Sequence, residues 1–252
     1  MCSRGCFAMT PIHTQSVQVM NADLAIDAYL AQPSAAGSYP VILVCQEIFG
    51  VNSHIRAVTE RIAQEGYVAI APALYQRTAP NFEIGYTEAE VALGRSHKSQ
   101  TTAAQLLSDL QATLDYAQRL PNVVPDSAGV IGFCFGGHVA YLAATLPKIE
   151  ATASFYGAGI ATFTPGGGAP TLSQTPNIQG TIYLFFGDHD PLIPAAEVQE
   201  ITATLARLGT DHRVFHYPAS HGFFCDQRAS YQAAAAANAW EQVLELFGHL
   251  KP

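Results

Sequence analysis

Ala128-Gly129-Val130-Ile131-Gly132-Phe133-Cys134-Phe135-Gly136-Gly137-His138-Val139-Ala140-Tyr141-Leu142-Ala143-Ala144 is the stretch that decides how this chain is read. Its first four residues are a short apolar run suited to a buried parallel strand, and its last seven read as helix. A strand that turns this sharply into a helix brings neighbouring backbone against the turn. The positions two before and two after the apex must then be almost free of side chain, and Gly132 and Gly136 stand there. The apex is Cys134, held out above the carboxyl edge of the sheet. The next backbone N–H, that of Phe135, sits at a helix N-terminus, where negative charge is stabilised. A free cysteine is most often a small buried hydrophobe, but these flanking glycines make Cys134 the leading nucleophile. A dinucleotide-binding glycine loop is a poor fit, because Gly129, Gly132, Gly136 and Gly137 lack the Gly-x-Gly-x-x-Gly spacing and no acid stands near position 155.

Outward from this turn, apolar runs alternate with helical periodicity. Residues 16–32 read as an antiparallel pair of strands, and 40–45, 67–71, 128–132, 151–156, 181–186 and 213–217 as sheet strands. One helix is expected from a cap at Asn52 or Ser53 to Gly66. A long one opens on Thr87-Glu88-Ala89-Glu90, a capping box, and runs through Leu106, Leu110 and Leu114. Others follow Pro194 and Ser230. Residues 162–179, rich in Gly, Pro and Thr, are expected as a surface excursion or lid edge. Strand alternating with helix implies an α/β fold: a mostly parallel sheet flanked by helices on both faces, with ligands beyond the carboxyl ends of its strands.

Composition narrows the function. A chain of 252 residues, 49% hydrophobic and 13% charged, can bury one large core, so a single domain over 1–252 is expected, with 1–12 as a disordered leader. The formal net charge of −8 and the absence of a Lys/Arg cluster argue against nucleic acid or an anionic membrane surface. No apolar run approaches the ~20 residues of a membrane span or the length of a signal peptide. The expected setting is cytoplasmic, with a small-molecule lactone or ester as partner, and the protein a monomer or homodimer. Five cysteines (Cys2, Cys6, Cys45, Cys134 and Cys225) form no disulfide framework. No paired Cys-x-x-Cys or His-Glu-x-x-His occurs, so neither metal nor cofactor is expected.

A thiol needs a base, and the base an acid to fix its tautomer. Past the strand at 181–186 comes Gly187-Asp188-His189-Asp190-Pro191, and past 213–217 comes Pro218-Ala219-Ser220-His221-Gly222. Cys134, Asp190 and His221 thus occur as nucleophile, acid and base, each just beyond a strand. Asp188 is the rival acid, with a turn-capping role as its bland alternative; Asp190 is preferred because Gly-x-x-Asp precedes the Pro-rich start of the next helix. His189, His212 and His216 read as loop or surface residues. At a further strand end, Cys45-Gln46-Glu47-Ile48-Phe49-Gly50 offers the backbone N–H of Ile48 to complete an oxyanion hole with that of Phe135. It also places Glu47 beside the thiol.

From about residue 40 to 248 the chain resembles the dienelactone hydrolases (carboxymethylenebutenolidases) of the α/β-hydrolase fold. The resemblance rests on Gln46-Glu47-Ile48-Phe49-Gly50-Val51-Asn52, Gly132-Phe133-Cys134-Phe135-Gly136-Gly137, Gly187-Asp188-His189-Asp190 and Ser220-His221-Gly222-Phe223. It implies a Cys134–His221–Asp190 triad. It also implies that Glu47 holds the thiol proton until a substrate carboxylate displaces it, which like-charge repulsion between carboxylate and thiolate would favour. The chain departs from the family where an arginine follows the catalytic histidine by four residues: Cys225 stands there. Arg228, three residues on, and Arg95 on the long helix are the candidates to grip a substrate anion. Cys225 reads as a packing residue, or as a second reactive thiol in electropositive surroundings. A broad carboxylesterase or thioesterase, or a catalytically silent ligand-binding member, are the alternative readings.

Overall fold

Val41-Ile42-Leu43-Val44 carries no polar side chain on either face, and such a run is stable only between two apolar layers. The computed structural model, which describes residues 10–251, places it there. The strands are β1 (Ile12–Asn21), β2 (Leu24–Pro33), β3 (Tyr39–Cys45), β4 (Val68–Pro72), β5 (Val123–Phe133), β6 (Ile149–Phe155), β7 (Thr181–Gly187) and β8 (His212–Tyr217). They form one sheet in the order β1-β2-β4-β3-β5-β6-β7-β8. Pairing is antiparallel for β1 with β2 and β2 with β4, and parallel from β4 through β8. This is the α/β-hydrolase fold. The helices are α1 (Ser53–Gln64), α2 (Glu88–Lys98), α3 (Ala103–Gln118), α4 (Phe135–Ala143), α5 (Ala195–Leu208) and α6 (Ala233–Gly248).

Side chains alternate across the pleat. Ile42 and Val44 therefore join one apolar cluster with Ile55, Val58 and Ile62 of α1 and Trp240, Val243 and Phe247 of α6. Val41, Leu43 and Cys45 join another with Leu106, Leu110 and Leu114 of α3 and Val139, Ala140 and Ala143 of α4. These two cores hold the sheet rigid, and every parallel strand points its carboxyl end to the same edge. No helix among the described residues is long and apolar enough to cross a membrane.

Three expectations are corrected. The long helix from Thr87 is two helices. Thr87 and Glu90 do form the capping box that starts α2, but residues 99–102 interrupt the run. There the Ser99 hydroxyl donates to the Ser96 carbonyl and the Thr101 hydroxyl to the Lys98 carbonyl, while Thr102 caps α3 by accepting from the Gln105 N–H. Short polar side chains that satisfy backbone groups locally compete with helix continuation. Residues 162–179 are only partly an excursion: residues 166–169 are exposed, but Thr171–Asn177 wind into a 3-10 helix with Thr171, Leu172 and Thr175 buried. The Thr171 hydroxyl lies 2.7 Å from His138 Nε2 and that of Thr175 2.6 Å from the Tyr141 hydroxyl, polar anchors that hydropathy does not register. Of the expected leader, residues 1–9 lie outside the described residues, whereas Ile12 already pairs with Pro33 as the first rung of β1.

Candidate active site

The turn between β5 and α4 has the geometry its glycines demand. Cys134 sits at φ +56°, ψ −117°, a left-handed conformation costly for a residue with a side chain. A Cβ on Gly132 would overlap the Gly136 carbonyl, and one on Gly136 would overlap the carbonyls of Cys45 and Gln46. The Cys134 N–H donates to the Phe155 carbonyl at 3.0 Å, tying the apex to β6. The thiol is partly exposed. Close packing thus overdetermines the strained apex.

The ends of β7 and β8 supply the rest. Nδ1 of His221 lies 2.7 Å from Oδ2 of Asp190, both side chains buried, and the carboxylate selects the tautomer in which Nδ1 donates. The other oxygen, Oδ1, accepts from the Leu192 N–H at 2.8 Å and fixes the carboxylate plane. Nε2 of His221 is buried and has no partner of its own. Burial by itself disfavours the imidazolium, but the electrostatic influence of Cys134, and then the hydrogen-bonded Asp190 carboxylate, outweighs it and pushes the His221 pKa up to about 10. His221 is therefore electrostatically coupled to Cys134. Asp188, the rival acid, meets a different histidine: its Oδ1 lies 2.9 Å from Nδ1 of His216, both half exposed. His189 is exposed, and His212 contacts the Thr210 carbonyl on β8's far end.

The loop after β3 forms the opposite wall. Gln46 Oε1 accepts from the Leu74 N–H, and Gly94 of α2 lets that helix come against the Ile48 carbonyl, where a Cβ would overlap. Among the described residues, neither the Ile48 nor the Phe135 N–H donates to a protein acceptor, and both residues are buried. Glu47 is fully buried. Its Oε1 takes Nη1 of Arg228 at 3.0 Å, and its Oε2 has no partner. The Cys134 thiol is not among its hydrogen-bond partners. Arg228 keeps its charge because Glu47, and then Cys134, offset the burial that opposes it. Gly222, at φ +81°, leaves room for this guanidinium, which a Cβ would strike.

Arg95 is exposed on α2. One helical turn on, Lys98 has the position that sequence reasoning missed. It is partly buried, with its ammonium 4.6 Å from the Phe163 ring centre and 5.7 Å from that of Phe135. Burial lowers its pKa, and the nearby Cys134 charge pulls the other way. The i, i+3 spacing from Arg95 was the available signal. Tyr156 was also missed. At φ +38° just past β6, it packs edge-on against the His221 ring at 5.1 Å, with its hydroxyl buried and unpartnered.

Residues 26–251 match the model of the dienelactone hydrolase family. A Synechocystis sp. protein provisionally named as a carboxymethylenebutenolidase is 58% identical over 237 residues, covering 94% of this chain and 96% of the relative. The carboxymethylenebutenolidase of Pseudomonas putida is 27% identical over 248 residues, covering 94% and 98%. A crystal structure of a provisionally assigned dienelactone hydrolase from Klebsiella pneumoniae superposes with a TM-score of 0.86 at 30% identity, covering 94% of this chain and 99% of that one. On sequence and on architecture alike, this chain belongs to the dienelactone hydrolase family of α/β-hydrolase enzymes.

Proposed function

We propose that the chain hydrolyses a small, acidic, enol-lactone-like ester through a thioester on Cys134, without a cofactor. The observation that carries this reading is the buried 2.7 Å His221–Asp190 pair, whose free Nε2 belongs to a ring electrostatically coupled to Cys134 at a strained apex. The names of the relatives support the lactone class. The Cys134 sulfur attacks the carbonyl carbon as its proton passes to His221, and the oxyanion is received by the N–H groups of Ile48 and Phe135. Collapse breaks the ring C–O bond and expels an enolate, which takes the proton from His221. A water, deprotonated by His221, then cleaves the thioester and returns the thiol.

An acid at this site fits the two cations that border it, Arg228 and Lys98. Arg228 feels the charge of both Glu47 and Cys134, and a carboxylate near the thiol opposes a free thiolate by like-charge repulsion. A substrate carboxylate that claims Arg228 would relax that arrangement and admit the thiolate only when substrate is bound. The test compares initial rates on a dienelactone and on p-nitrophenyl acetate for the parent and for Cys134→Ala. The reading expects the lactone to be preferred and both activities to vanish in the variant. Turnover of p-nitrophenyl acetate alone would favour a broad carboxylesterase or thioesterase, and an active variant would refute the site.

A further inference from the structure

Glu47, which the hydrolytic reading uses, is grouped with two side chains that it does not use, His54 and Cys225. A carboxylate oxygen of Glu47, a ring nitrogen of His54 and the sulfur of Cys225 lie within 4.8 Å of one another, and all three residues are buried. Two polar atoms here have no hydrogen-bond partner: Oε2 of Glu47 and Nε2 of His54, on residues 0% and 3% exposed. Buried polar atoms are almost always paired, so two orphans in one place call for a ligand.

We propose that Glu47, His54 and Cys225 form a binding site for a borderline-soft divalent cation of the Zn2+ type, and that its occupancy reversibly inhibits hydrolysis. One carboxylate, one imidazole and one thiolate are the donors that Zn2+ takes, at about 2.0–2.3 Å, which sets tetrahedral ligands roughly 3.3–3.8 Å apart. Side-chain movements of about 1 Å therefore close the present spacing. The surroundings match those of a ligand set as well. Nδ1 of His54 lies 3.9 Å from Oδ1 of Asp226, a carboxylate within reach to take that N–H and leave Nε2 for a metal. Arg228 holds only Oε1 of Glu47, and Oε2 remains for the cation. The His54 ring is packed edge-on between Phe133 and Phe224, at 5.9 and 6.4 Å, which limits its rotation. Cys225 binds as thiolate, its proton passing to solvent, and no redox step is involved. Because Glu47 and Cys134 both act on the charge of Arg228, a cation on the Glu47 carboxylate alters the electrostatics around the thiol.

Binding is read directly with Co2+ added to the purified full-length protein, by the near-ultraviolet thiolate-to-cobalt charge-transfer band and the visible bands of tetrahedral cobalt. The proposal expects about one equivalent bound, with the band kept in Cys134→Ser, lost in Cys225→Ser, and shifted to at least tenfold higher cobalt concentration in His54→Gln. Zn2+ should then inhibit ester hydrolysis by the parent, EDTA should restore it, and Cys225→Ser should retain parental turnover while resisting Zn2+. Circular dichroism checks that each variant is folded, and if Cys225→Ser is not, Cys225→Ala and His54→Gln take its place. A band that disappears with Cys134 and survives loss of Cys225 would assign the metal to the nucleophile and overturn the proposal. So would the absence of any thiolate band.

Discussion

Two histidine–aspartate pairs grow from the same two strands and have opposite characters. His221–Asp190 and His216–Asp188 each join the end of β7 to β8 or the loop after it, at 2.7 and 2.9 Å. The first is closed off from solvent, with side chains 7% and 0% exposed, and the second is open, at 52% and 50%. Chemistry and distance are nearly equal, so solvent decides what each pair can do. In water an ion pair is screened and worth about 0–1 kcal/mol. In the buried pair the same contact fixes a tautomer and, together with Cys134, raises the His221 pKa. A histidine beside an aspartate becomes catalytic equipment only when the fold removes the competing water and aims the second nitrogen.

Breaking the buried arrangement should have the largest effects. Cys134→Ala and His221→Ala should each remove measurable thioester-dependent turnover while circular dichroism shows an intact fold. Asp190→Asn keeps the shape but selects the wrong imidazole tautomer, and kcat should fall by about 10^2- to 10^4-fold; a loss smaller than tenfold would mean the carboxylate does not orient the base. Glu47→Ala should retain some activity, yet its thiol should be inactivated by peroxide several-fold faster than the parent's, since a negative neighbour has been removed. Equal inactivation rates would discard the guarding role.

The pH dependence of stability sharpens the same contrast. The folded His221 pKa lies above the ordinary value near 6.5. Folding therefore retains a proton that the unfolded chain releases. The associated stability is complete below about pH 6.5 and drains away as pH rises towards about 10. Urea unfolding across that window should show a decline in the parent that is shallower in His221→Gln. The smallest effect belongs to the open pair: Asp188→Asn or His216→Gln should change kcat less than about threefold and stability by no more than about 0.5 kcal/mol. A large loss of activity there would restore Asp188 as the acid.

Local signals made much of this legible. Gly132 and Gly136 around Cys134 announced the sharp turn, because only a near-absent side chain tolerates backbone at that range. The unbroken apolar run of β3 announced a strand covered on both faces. Asp190 and His221 stood out by their place just past strands, and Asp190 was preferred to Asp188 because Gly-x-x-Asp precedes the Pro-rich start of the next helix; that Asp190 meets a buried histidine and Asp188 an open one comes only from packing. The break at residues 99–102 was missed because Thr102, which caps α3, stands inside a continuing leucine periodicity. Lys98, Tyr156 and His54 were invisible for a different reason. Each acquires its neighbours by tertiary packing, and the Glu47–His54–Cys225 group joins residues from β3's loop, α1 and the loop after β8 with no spacing that a motif could record.

The most direct test of the account is the identity of the covalent intermediate. Acid-quenching the parent enzyme in the presence of a slowly deacylated ester, followed by peptide mass spectrometry, should find one acyl group on the peptide carrying Cys134 and none in His221→Ala over the same interval. An acyl group on another residue, or steady turnover with no adduct on Cys134, would contradict the account.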